Sequence, residues 1–253
     1  MLITTWNVNG MRAREAQFLA WVASAAPAVI CLQETKALRE QLSPALRELP
    51  GYWCYWHSAP KGYSGVGLHI RRDAFIGEPV FGHPAHDFES RLATAEVMLG
   101  ATPVTLASLY LPNGGKDYPA KIAFLQKMAN WVREVHASGR QLILCGDMNV
   151  ARAVMDVHPN FRDPQVIGQR LEERQLFSHM LAGGLVDMQR TLHPDNAELF
   201  TWWPYWRAHR QRNIGWRLDY VLVSQALAGR VSACRVLTEV GTSDHAPVVA
   251  TLV

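Results

Sequence analysis

The run Leu142-Ile143-Leu144-Cys145-Gly146-Asp147-Met148-Asn149 decides the fold class. Four apolar residues followed at once by Gly, Asp and Asn are read as a buried strand that ends in a polar turn. The same grammar recurs on either side. Leu2 to Trp6 ends in Asn7, Ala28 to Leu32 is followed by Glu34, and Leu218 to Val223 carries Asp219 at its start. Further strands are expected at Gly65 to Ile70, Ala93 to Leu99, Val104 to Tyr110 and Pro247 to Leu252. Segments of helical periodicity lie between some of them, at Arg12 to Ala25, Pro119 to Ala137 and Leu171 to Ala182, with Gly139 a stop signal after the second. The mixture is α/β, with helices over both sheet faces. A lone carboxylate at a strand end is commonly a cap or a turn residue; several together point to a rim where chemistry gathers.

The chain has 253 residues, 49% hydrophobic and 19% charged, enough to bury a large core. No repeat or linker divides it, so one domain over residues 1 to 253 is expected. No apolar run approaches the roughly 18 residues of a membrane span, and no basic leader precedes Trp6-Asn7, so a soluble protein starting at Met1 is expected. Cys31, Cys54, Cys145 and Cys234 are scattered without metal or disulfide spacing, which suits a reducing cytoplasm. The net charge of +3 permits a nucleic-acid partner without requiring one. Local composition says more. Arg207, His209, Arg210, Arg212 and Arg217 are interleaved with Trp202, Trp203, Tyr205, Trp206 and Trp216, cations for phosphates beside rings for stacking. A solvated loop over core tryptophans is the alternative.

Asn7, Glu34, Asp147, Asn149, Asp219, Asp244 and His245 form a set rich in hard oxygen donors, suited to Mg²⁺ or Mn²⁺ and ill suited to a closed zinc site. Hydrolysis of a phosphodiester needs neutralised phosphate, an activated water and a stabilised leaving oxygen. Glu34 can hold metal, Asp147 can orient or deprotonate water, and His245 can bind phosphate if Asp219 keeps it charged. Each motif alone has a plainer explanation. Gly146 to Asn149 can be a turn, Ser243-Asp244-His245 a cap with a surface histidine, and Lys61 to Gly67, which lacks a G-K-[S/T] ending, a hairpin turn.

The order of motifs is more specific. Trp6-Asn7-Val8-Asn9-Gly10, Leu32-Gln33-Glu34-Thr35-Lys36, Ser108 to Gly114, Gly146 to Asn149, Gly215-Trp216-Arg217-Leu218-Asp219-Tyr220 and Ser243-Asp244-His245 resemble the successive signature blocks of the exonuclease III/abasic endonuclease family. That resemblance implies a four-layer α/β sandwich, two packed mixed β-sheets flanked by helices, presenting strand-end loops to duplex DNA with abasic sites or 3′ ends. It implies Glu34 as a metal ligand with Asn7 and Asp244 beside the metal, and Asp147 as the acid that positions or activates water. Asn149 corresponds to a phosphate contact, Tyr110 to the active-site tyrosine, and His245 to a phosphate-contacting histidine supported by Asp219. Tyr110 would otherwise be a half-buried strand aromatic, and Trp202 and Trp216 core residues; the resemblance places those tryptophans around an extruded abasic sugar. Lys36, Lys61, Tyr63, Asn113 and Arg212 are further candidate DNA contacts.

Between Asp156 and Arg174 the pattern departs. Family members commonly carry Gly-Phe-x-Pro before Glu-Arg; here Gly168 and Glu173-Arg174 match, whereas the Phe and Pro do not. Metal chemistry is expected to be unaffected, and the balance of abasic incision against 3′ exonuclease activity is left open. Two alternatives to a monomeric repair nuclease differ in class: a catalytically silent binding module, as in a catabolite-repression branch that has lost several of these acids and histidines, and a phosphatase acting on lipid or small-molecule phosphates.

Overall fold

Alternation along the strands sets the layering of the computed structural model, which describes residues 1–58 and 62–253. In β8 (Gln141–Asp147), Ile143 and Cys145 face one core while Leu142 and Leu144 face another. In β10 (Asp219–Ser224), Val221 and Val223 likewise oppose Tyr220 and Leu222. β2 (Val29–Gln33) divides Val29 and Cys31 from Ile30 and Leu32. Burial on both faces is why these interior strands read as continuous apolar runs.

Two six-stranded mixed sheets result. The first, in spatial order, is β11 (Val231–Val236), β12 (Val248–Leu252), β1 (Leu2–Asn7), β2, β4 (Val66–Arg71) and β3 (Tyr52–His57). The second is β5 (Ile76–Gly82), β6 (Leu92–Leu99), β7 (Thr102–Tyr110), β8, β10 and β9 (Leu185–Asp187). Among the described residues only β1–β2 and β7–β8 pair in parallel, one pair at the centre of each sheet. Each parallel pair is joined by a helix, α1 (Glu15–Ala25) and α3 (Tyr118–Ala137), as a parallel crossover requires, while the short α2 (Pro44–Arg47) lies between β2 and β3. Gly146 lets the second pair close up, since a Cβ there would run into the Leu109 carbonyl.

The inner core is the apolar contact between the sheets: Ile3, Val29, Cys31 and Leu68 against Val104, Leu106, Ile143, Cys145 and Val221. Phe18, Trp21 and Val22 of α1 cover the outer face of the first sheet beside Trp6 and Ile30. On the second, Phe124, Leu125 and Met128 of α3 and Phe177 and Met180 of α4 (Leu171–Ala182) do the same. The expected four layers are present. Towards the carboxyl ends of the parallel pairs the inner core turns polar: Thr5 donates to Gln33 Oε1 at 3.1 Å, and Gln33 Nε2 donates across the sheets to Ser108 Oγ at 3.2 Å.

α4 occupies the expected span, and α3 begins one residue before the expected Pro119, behind an Asp117 cap that accepts from Ala120 N at 2.9 Å. α1 starts later than expected because Met11–Arg14 forms a separate 3-10 turn. Strands β3, β5, β9 and β11 were not expected. They are the four sheet edges, where pairing on one side only and exposure such as that of Ile76 and Val80 erase the periodic signal. Of the expected Lys61 to Gly67 hairpin turn, residues 62–65 lie between the antiparallel β3 and β4, Val66 and Gly67 open β4, and Lys61 is outside the described residues.

Arg217, fully buried, ties the ends of this framework. Its Nε and Nη2 donate to Asp156 at 2.8 and 3.0 Å, and its Nη1 and Nη2 to Asp187 at 2.9 and 2.8 Å. Arg217→Met leaves two buried carboxylates without their main partner, and urea unfolding is expected to show a loss of about 3–5 kcal/mol; a change under 1 kcal/mol contradicts this account.

Candidate active site

The carboxyl ends of the two parallel pairs meet at one rim. Asn7, fully buried at the end of β1, donates from Nδ2 to Glu34 Oε1 at 2.9 Å and to Asp147 Oδ2 at 2.9 Å. Its Oδ1 accepts from Asn9 N at 3.0 Å, so the amide orients both acids. Glu34 Oε2 lies 2.6 Å from Lys36 Nζ, which also donates to Asn9 Oδ1 at 2.6 Å. Asn9, Glu34, Lys36 and Asn149 all hold left-handed backbone, with φ of 44°, 51°, 50° and 47°, costly for residues with a Cβ.

Asp147 ends β8 and caps its own turn, its Oδ1 accepting from Asn149 N at 2.9 Å. Burial pushes its carboxyl up to about 7, against the pull of His245, and the neighbouring Asp219 and Glu34 add to the rise. His245 Nδ1 lies 2.8 Å from Asp219 Oδ2, and its Nε2 lies 3.8 Å from Asp147 Oδ2. Burial alone would lower the imidazole; Asp219, Asp147 and Asp244 outweigh it and raise it to about 10. The ring is therefore an imidazolium at neutral pH. Tyr110 is almost buried, and burial with Glu34 and Asp147 beside it drives its hydroxyl far above its ordinary value, so it remains a neutral donor.

Glu34, Tyr110, Asp147, Asn149 and His245 floor a cavity of about 340 Å³ whose walls include Trp202, Trp216, Ile167 and Leu218. The two tryptophans stand perpendicular, 84° apart with centroids 5.9 Å apart. Trp202 Nε1 donates to Asp244 Oδ2 at 3.0 Å, and Asn9 Nδ2 to Asp244 Oδ1 at 2.8 Å. Burial would raise Asp244, but His245, Asn9 and Trp202 together hold its carboxyl below the ordinary range. Glu34, Asp147 and His245 bring one ligand atom each within 4.8 Å of the others. With the imidazole protonated, the donors left for a cation are oxygens, the set that a hard divalent ion prefers.

The sequence model of the Endonuclease/Exonuclease/phosphatase family matches residues 4–245. The chain belongs to this family. An exodeoxyribonuclease of Bacillus subtilis is 32% identical over 98% of this chain and 98% of its own length. DNA repair nuclease APEX1 of Danio rerio is 33% identical over 98% of this chain and 81% of that protein. Recombination repair protein 1 of Drosophila melanogaster is 33% identical, and the chain spans 36% of its length. Among solved structures, the 3′-5′ exonuclease of Neisseria meningitidis has a TM-score of 0.86 at 32% identity, covering 100% of this chain and 99% of that one.

Within this Endonuclease/Exonuclease/phosphatase fold, the seven polar residues singled out in the sequence, with Tyr110, converge on one rim. Tyr63 lines an adjoining groove of about 640 Å³ that shares Tyr110 and Asn113 with the first cavity. The aromatic-basic stretch divides. Arg217, Trp203 and His209 are buried, and Arg210 donates to the carbonyls of Ser243, Thr238 and Val240. Tyr205, Trp206, Arg207 and Arg212 are exposed, and none of them lines the cavity. Sequence reasoning missed Arg91, whose guanidinium packs in the groove against the Tyr63, Phe88 and Tyr110 rings at 5.5, 5.6 and 4.8 Å. A lone arginine before a strand carries no signal; only the fold brings it to Tyr110.

The raised Asp147 carboxyl has a thermodynamic consequence. A folded pKa above the unfolded one favours the native state while the group is protonated, and that contribution is lost as pH rises towards 7. In EDTA, Asp147→Asn is expected to be more stable than the wild type at pH 8 by about 1–3 kcal/mol, with the gap narrowing by pH 5. Urea titrations at the two pH values check it; an equal gap at both would contradict the assignment.

Proposed function

We propose that this protein is a DNA-repair nuclease that hydrolyses the phosphodiester 5′ to abasic sites in duplex DNA and trims 3′ ends by the same chemistry. The carrying observation is the convergence of Glu34, Asp147 and His245 beneath a cavity walled by Trp202 and Trp216. The domain over residues 1 to 253 works as one catalytic unit, and the free cysteines suit a reducing cytoplasm. Among the described residues no helix is long and apolar enough to cross a membrane. A monomer is sufficient, since the site draws every group from one chain.

The His245 imidazolium, held by Asp219 at Nδ1, presents Nε2–H to a phosphate oxygen. Tyr110 donates to another oxygen as charge builds on it, and Asn149 joins it by handing over the longer of its two Nδ2 hydrogen bonds, the 3.3 Å one to Asp147 Oδ2, while keeping the 2.9 Å one to Leu111 O. Asp147 is basic enough near neutral pH to take a proton from an attacking water, whose oxygen ends on phosphorus while the 3′-oxygen leaves. Glu34, with Asn7 and Asp244 beside it, would hold Mg²⁺ or Mn²⁺, which would supply charge neutralisation for the phosphate and the leaving oxygen. Trp202 and Trp216 accommodate a sugar without its base, turned out of the helix. Lys36, Tyr63 and Asn113, with Lys61 and Arg212, serve the DNA backbone. A second reading, chiefly 3′-end processing, is favoured by the Neisseria neighbour, named a 3′-5′ exonuclease and, bound to a product DNA hairpin, a 3′ phosphatase.

The deciding experiment cleaves an end-labelled duplex carrying one tetrahydrofuran abasic analogue, beside an undamaged duplex, with Mg²⁺ and with EDTA. Incision immediately 5′ to the analogue, lost in EDTA and reduced at least about a hundredfold in Asp147→Asn, is expected. Stepwise shortening of both duplexes makes the enzyme chiefly an exonuclease. No cleavage with either metal sinks the nuclease reading and favours a binding module, and release of phosphate from inositol phosphates favours the phosphatase. In the same assay kcat/KM is expected to rise with pH up to about 7 or below, as Asp147 deprotonates beside a cation, and to fall near 10 as His245 loses its proton. A flat profile from pH 5 to 8 contradicts the role given to Asp147.

A further inference from the structure

A buried ion pair absent from this scheme lies directly behind the phosphate-contacting residues. Lys121 of α3 and Glu173 of the first turn of α4 are both fully buried, with Lys121 Nζ 2.5 Å from Glu173 Oε1. The same ammonium donates to the carbonyls of Asn149 at 2.8 Å and Asn113 at 3.1 Å. Two of the three ammonium protons are thus donated to main-chain carbonyls, with the Glu173 carboxylate in ion-pair contact beside them. Glu173 Oε2 accepts from Gly168 N at 2.7 Å and from Arg170 N at 3.1 Å, capping α4. Gly168 presses on the site from the other side. At φ +92°, a Cβ there would lie 3.1 Å from the Trp216 ring and 3.2 Å from the Asn149 carbonyl.

The left-handed Asn149 is therefore clamped at both ends of its main chain, by Asp147 on its N–H and by Lys121 on its carbonyl. Asn113 Nδ2 donates to Asn149 Oδ1 at 3.3 Å, so one lysine sets the backbone of both asparagines. A buried ion pair is a poor device for stability, because desolvation offsets its attraction. Its placement here does something else. We propose that Lys121 and Glu173 are positioning residues for the reaction, holding the Asn149 amide and the Ile167-Gly168 wall beside Trp216 as one rigid block. The inference rests on the nuclease reading above.

The test is a double-mutant cycle on the abasic duplex with Mg²⁺, using wild type, Lys121→Met, Asn149→Ala and the double variant, with kcat, KM, thermal unfolding and duplex binding in EDTA measured for each. Lys121→Met is expected to fold, to bind the duplex within about threefold of wild type, and to lose about 10- to 100-fold in kcat with KM within about threefold. Because Lys121 acts through Asn149, the double variant should fall within about threefold of Asn149→Ala alone. Losses that multiply, or a folded Lys121→Met with wild-type kcat, overturn the inference. If Lys121→Met does not fold, Lys121→Met/Glu173→Leu, which leaves no unpaired buried charge, takes its place under the same criteria. A wild-type protein that fails to cut removes the nuclease reading and this inference together; a wild-type protein that cuts beside unaffected variants removes this inference alone.

Discussion

The hydrogen bond from Asn7 Nδ2 to Asp147 Oδ2, 2.9 Å long, joins the last residue of the central strand of one sheet to the last residue of its counterpart in the other. Two sheets packed through apolar side chains alone are free to slide over a shallow energy surface, because burial is not directional. Asn7 removes that freedom at the rim, and Gln33 with Ser108 does so one layer below. The same amide holds Glu34, so the spacing of the two acids follows from the packing of the sheets. Loops alone would not supply that spacing.

Charge at the rim is unbalanced by design of the fold. Glu34, Asp147, Asp219 and Asp244 face the two cations His245 and Lys36. Each cation is committed to a particular acid, His245 to Asp219 and Lys36 to Glu34. The remaining negative charge suits a divalent cation and opposes an unaccompanied phosphate. The site thereby combines a base poised near neutrality with a fixed imidazolium 3.8 Å away.

Interior strands and the acids at their ends were legible because burial on both faces leaves an uninterrupted apolar run and then an abrupt polar residue, as in Leu142 to Asp147. The edge strands were not, since Ile76 and Val80 are exposed and β9 has three residues. The aromatic-basic stretch misled in part for a related reason. Composition cannot tell Arg217, buried between two aspartates, from Arg207 on the surface, and that distinction depends on Asp156 and Asp187, 61 and 30 residues away. Nothing in the sequence marks Lys121, and Glu173 stands out only through the Glu-Arg match; the side-by-side approach of the N-terminal turns of α3 and α4 is what buries the pair. The Phe and Pro missing from the 156–174 segment leave its anchoring intact, because that anchoring runs through Gly168 and Glu173, the residues that match.

The backbone at Asn9, Glu34, Lys36 and Asn149 bears on how such a chain tolerates change. Left-handed geometry with a Cβ costs of order 1 kcal/mol per residue, and glycine at any of these positions would relieve it. A search that rewards thermal stability alone would therefore drift towards glycine at the rim and discard the side chains on which the chemistry depends. Heat tolerance in this scaffold is better sought at the four sheet edges and in the outer helices, where no strained residue carries a function.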